Sequence, residues 1–120
     1  MAVQLPYETM NDMLQHWSCR HGDRAAFIFR SDRQGAQRLE LTRAELYHLG
    51  GRWAAVLHGD GVGPGQLVVN TLPNCPERVL CDAGIALAGA VSVNASASLL
   101  MVRLISDDPL MMRFITTRRW

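Results

Sequence analysis

The chain has no lysine. All twelve of its basic residues are arginine, so no chemistry that needs an amine side chain can be carried by these 120 residues. A Walker-type phosphate loop, which requires a Gly-Lys pair, is excluded outright. Cysteine is scarce too. Cys19, Cys75 and Cys81 form no C-x-x-C pair and their number is odd, which suits a reduced compartment better than a disulfide scaffold. They read as buried structural thiols. No apolar run is long enough to span a bilayer. The opening MAVQLPYETM has neither a basic n-region nor an apolar h-region, so it is no signal peptide. These absences point to the cytoplasm, or to the mitochondrial matrix should a parent enzyme be imported. No basic stripe alternates with aromatics, which argues against nucleic acid.

What is present is ordinary globular material, 48% apolar and 19% charged, with a net charge of +1 and length for a single domain. Met10 to His21 predicts a helix. Thr9 stands at its cap, Asp12 lies in its first turn, and Met10, Met13, Leu14 and Trp17 share one face. Gly22 stops it. Ala25–Phe29 and Gln37–Leu41, on either side of the turn-like Ser31–Gly35, predict a β-hairpin. Thr42-Arg43-Ala44-Glu45 is a capping box opening a helix to about Leu57. That helix is apolar on two sides, Leu46, Gly50, Trp53 and Leu57 on one and Tyr47, Gly51, Ala54 and Ala55 on the other, and is expected to be covered on both. Glycine in mid-helix at 50 and 51 predicts close approach of a neighbour.

Four glycines then fall in the seven residues from Gly59 to Gly65. This run follows a helix and precedes the strand Leu67–Leu72. A phosphate loop has the reverse order, because the helix N-terminus must face the anion. Gly59 is therefore expected to be a left-handed helix cap, and Val62-Gly63-Pro64-Gly65 a turn. Beyond the strand, Asn74 or Cys75 caps a helix with Pro76 at its start and Glu77 near its positive end. Gly89 ends that helix, and Ala90–Val93 is the next strand. Strand, helix and strand of these lengths predict a parallel βαβ unit. The fold class is α/β: a parallel βαβ core with an N-terminal helix and a β-hairpin.

The candidate reactive residues yield no site. His16, His21, His48 and His58 do not have ligand spacing, and His21 and His58 each precede a helix-ending glycine where positive charge suits the dipole. Ser92, Ser96 and Ser98 lie in no nucleophile elbow. Asn94-Ala95-Ser96 is a formal glycosylation sequon, unused without secretion. No catalytic, cofactor-binding or metal-binding residue is assigned.

The phrases HGDRAAFIF (21–29), LTRAEL (41–46), WAAVLHGDGVGPGQLVV (53–69), LPNCPE (72–77) and ALAGAVSVN (86–94) together resemble the N-terminal part of the adenylate-forming, AMP-binding enzymes. The SVN after GAV leans to their acyl-CoA synthetase branch. The family usually has an aromatic where Arg43 stands and an acidic residue where Gln66 stands. The resemblance implies a fragment of the large N-terminal domain and a parent reaction in which ATP activates a carboxylic (fatty) acid to an acyl-adenylate and then to acyl-CoA, using Mg and CoA. It also implies that the Ser/Thr/Gly-rich ATP loop, the ribose-binding Asp and the catalytic Lys come further along than residue 95. Residues 1–95 are thus expected to be a partial synthetase region, inactive alone. They would come from a truncated isoform, a gene fragment or a partial gene model. The competing reading is a non-enzymatic protein that self-associates or pairs with a full-length synthetase. Residues 96–120 read as a divergent apolar and basic tail, one or two helices patching a sheet edge or touching a membrane surface.

Overall fold

A computed structural model of the chain describes residues 6–30, 38–95 and, for the backbone, 113–115. They fall into two compact units, 1–49 and 50–120, with one helix running through the boundary.

The first unit begins with α1 (Met10–His21). Its N-terminus is a full capping box: Asp12 N–H donates to Thr9 Oγ1 at 3.1 Å, and Thr9 N–H donates to Asp12 Oδ2 at 3.0 Å. Asp12 thus satisfies an orphan donor as well as favouring the dipole. Gly22 does end the helix, but in right-handed geometry. Its use is spatial: a Cβ there would lie 2.5 Å from the Ser18 carbonyl oxygen and 3.1 Å from Ala44 Cβ. The hairpin forms as expected from β1 (Ala25–Phe29) and β2 (Leu39–Thr42), antiparallel, with Phe27 opposite Leu41 and a bulge between Ala25 and Phe27. The turn at 31–35 lies outside the described residues. Thr42 and Glu45 exchange the expected capping bonds at the start of α2 (Arg43–Gly59).

The C-terminal end of α2 corrects one expectation. Gly59 is helical and makes no left-handed cap. The positive φ belongs to Gly61, at 83°. Gly61 N–H donates to the His58 carbonyl and Val62 N–H to that of Leu57. This is a Schellman motif with Gly61 at C′, and Val62 joins Leu57 in the core. The helix runs two residues past Leu57 because nothing before Gly61 needs the left-handed region. A second correction concerns its two apolar sides. Leu46, Gly50, Ala54 and Leu57 are buried, whereas Gly51 and Ala55 are exposed. Glycine and alanine carry so little apolar area that leaving them in water costs little.

In the second unit, β3 (Leu67–Asn70) and β4 (Val91–Asn94) pair in parallel, Leu67 opposite Val91 and Val69 opposite Val93, joined by α3 (Pro76–Leu87). This is the expected βαβ unit. Val68, Ile85, Ala88, Ala54, Leu57 and Val62 form the core. The glycine expectation holds at position 50, where a Cβ would meet Ala83 Cβ at 3.0 Å and Leu87 Cδ1 at 3.2 Å. It fails at Gly51, which has open space. α3 ends in a second Schellman motif, with Gly89 at φ 76°, its N–H on the Ala86 carbonyl and Ala90 N–H on that of Ile85.

The tail brings a third correction. Residues Arg113–Ile115 form β5, a strand on the other side of β3, giving the order β4-β3-β5, all parallel. Apolar stripes over so short a stretch do not distinguish helix from strand, and Phe and Ile favour the latter. The rest of 96–120 lies outside the described residues.

Candidate functional site

The glycine run is the first place to test for anion binding, and its backbone donors can be followed one by one. Asp60 N–H donates to the Val56 and Leu57 carbonyls, Gly61 to His58, Val62 to Leu57, and Gln66 to Gly63. Gly65 N–H donates to the Gly89 carbonyl at 2.9 Å. Gly63 N–H is taken by the Gln66 side chain, Oε1, at 2.7 Å. Pro64 has no N–H. Every donor from 60 to 66 is spent inside the protein, so none is left to cradle a phosphate. Gln66 locks the turn through its side-chain carbonyl.

The strand-then-helix order that suits phosphate occurs instead at the β3–α3 junction, Thr71 to Cys75. Cys75 is the N-cap, in extended backbone and without a side-chain cap bond, and Pro76 follows it. Several polar groups here bond within the protein. Asn70 is fully buried. Its Oδ1 accepts from Leu72 N–H at 3.1 Å, and its Nδ2 donates to Asp82 Oδ1 at 3.0 Å and to the Arg78 carbonyl at 3.3 Å. Ser92 Oγ donates to the same Asp82 oxygen at 2.8 Å, and Arg78 Nη1 donates to the Leu72 carbonyl at 3.1 Å. One carboxylate on α3 thus ties the last residue of β3 to the second residue of β4. Such a satisfied network specifies structure, and Ser92 serves it as a donor. Ser96, the serine of the sequon, and Ser98 lie outside the described residues.

Two of the four histidines take part in an aromatic cluster. His16 and His21 belong to an aromatic cluster with Tyr7 and Trp17: His21 stacks on the indole at 5.6 Å and His16 meets it edge-on at 5.2 Å. The Arg43 guanidinium lies 4.9 Å from the Trp17 ring centroid, a cation–π contact joining α1 to the start of α2. His48 and His58 are exposed on α2. Among the described residues, no group of three His, Cys, Asp or Glu could hold a metal ion.

The cysteines are free, but only Cys81 is buried. Cys19 is exposed and Cys75 half-buried, against the expectation of three buried thiols. Cys19 falls on the polar side of α1, away from the Met13–Trp17 stripe. Burial, reinforced by the charge of Asp82, pushes the Cys81 thiol up to about 11. Partial burial raises Cys75 as well. Neither is a thiolate at neutral pH.

A sequence model of the AMP-binding enzyme family matches residues 14–104. The chain belongs to that family. Among AMP-binding relatives, a crotonobetaine/carnitine–CoA ligase of Salmonella paratyphi A is 38% identical over 80 residues, covering 67% of this chain and 15% of the ligase. The N-terminal subdomain of NpsA from Klebsiella oxytoca, solved in complex with 3-hydroxyanthranilyl-AMSN, superposes with a TM-score of 0.64 at 26% identity, over 76% of this chain and 22% of that one. A fatty acyl-adenylate ligase from L. pneumophila, solved in complex with acyl adenylate and pyrophosphate, shares the fold, with a TM-score of 0.70 at 16% identity over 76% of this chain and 16% of that one. The chain therefore spans about a sixth of the ligases it matches. No helix among the described residues is long and apolar enough to cross a membrane.

Proposed function

We propose that the chain carries part of the N-terminal region of an ATP-dependent ligase that activates a carboxylic acid as its acyl-adenylate and passes it to CoA, and that it does not catalyse this reaction by itself. The observation that carries the reading is the 38% identity to a CoA ligase over 80 residues. Adenylation needs positive charge held against the phosphates and the leaving group, and among the described residues no set of donors is gathered for ATP. There is no lysine, and the amides of the glycine turn are spent internally. The arginines with visible partners are engaged on separate elements: Arg38 with Glu40 on β2, Arg43 on Trp17, and Arg78 on the Leu72 carbonyl. In this reading ATP, Mg and CoA are held by other parts of the ligase. Residues 1–120 supply scaffold.

The test is ATP–pyrophosphate exchange with short, medium and long carboxylic acids, with a full-length ligase as positive control. No exchange above the enzyme-free blank is expected. Exchange that survives repurification would overturn the proposal. Adding the chain to the full-length ligase tests the competing reading: a changed exchange rate would mark it as an interaction protein.

A further inference from the structure

We draw no further inference here: the strongest candidate, the apolar patch that Leu67, Val91 and Val93 expose on the face of the three-stranded sheet turned away from α3, carries nothing because the structure does not show what covers it.

Discussion

Two glycine-to-alanine changes on packed helices should move stability in opposite directions. At Gly84, on α3, an added Cβ would stand 2.5 Å from Trp53 Cβ, 3.1 Å from the Gly50 carbonyl oxygen and 3.3 Å from Ala54 N. Two of these three neighbours are backbone and the third is a β-carbon, so no flexible side-chain end can swing away. The helices must part. Overpacking of this kind costs about 1–3 kcal/mol, against which the better helix propensity of alanine returns about 1 kcal/mol at most. Gly84→Ala should therefore destabilise by up to about 2 kcal/mol. At Gly51, on α2, a new Cβ meets nothing within 4 Å, and only the propensity gain of about 0.5–1 kcal/mol remains. Urea unfolding followed by far-UV circular dichroism reads both through the shift in midpoint at constant slope. The close packing of α2 on α3 is wrong if Gly84→Ala raises the midpoint as Gly51→Ala does.

The same measurement should rank the turn glycines. Gly61→Ala and Gly65→Ala, at φ 83° and 76°, should each cost about 1–2 kcal/mol, and Gly59→Ala should be neutral or stabilising. The reverse order would restore Gly59 as the cap. Asp82→Ala strips Asn70 and Ser92 of a shared acceptor and should cost about 1–3 kcal/mol. A double-mutant cycle with Ser92→Ala should show coupling, and strict additivity would deny the network. The Cys81 thiol rises from an ordinary 9.0 to about 11 in the folded chain. The folded state thus favours the protonated form. Its contribution is complete below pH 9 and is lost as pH rises from 9 to 11. Alkaline unfolding midpoints should drift less in Cys81→Ala, and an equal drift in both proteins would contradict this.

Local signals were legible where they are chemically specific. Thr-x-x-Asp and Thr-x-x-Glu gave two helix starts, and Pro76 and Gly89 bracketed α3. The hairpin and the βαβ unit followed from short apolar runs between turn residues. Contacts between elements left weaker traces. Which glycine bends a helix end depends on the hydrogen bonds beyond it, so Gly59 and Gly61 look alike in a string of letters. Asp82 reads as a polar interruption in an apolar stripe. Only the parallel pairing of β3 with β4 brings Asn70 and Ser92, which stand 22 positions apart, to the same oxygen. Nothing local to Arg43 in the sequence points to the Trp17 ring that it covers.

The stitched turns ahead of β3 and β4 have a further consequence for alignment. A parallel pair cannot inherit its register from a hairpin. It needs a reference mark shared by two segments that a whole helix separates. Here the mark is the pair of bonds from Gly65 N–H to the Gly89 carbonyl and from Val91 N–H to the Gln66 carbonyl, with Pro64 seated 3.6 Å from where a Gly89 side chain would begin. A slip of β4 by one residue would break both bonds. It would also turn Val91 and Val93 towards α3 and carry Ser92 away from Asp82. The glycine run thus works as an indexing key, setting which residues of the two strands count as opposite.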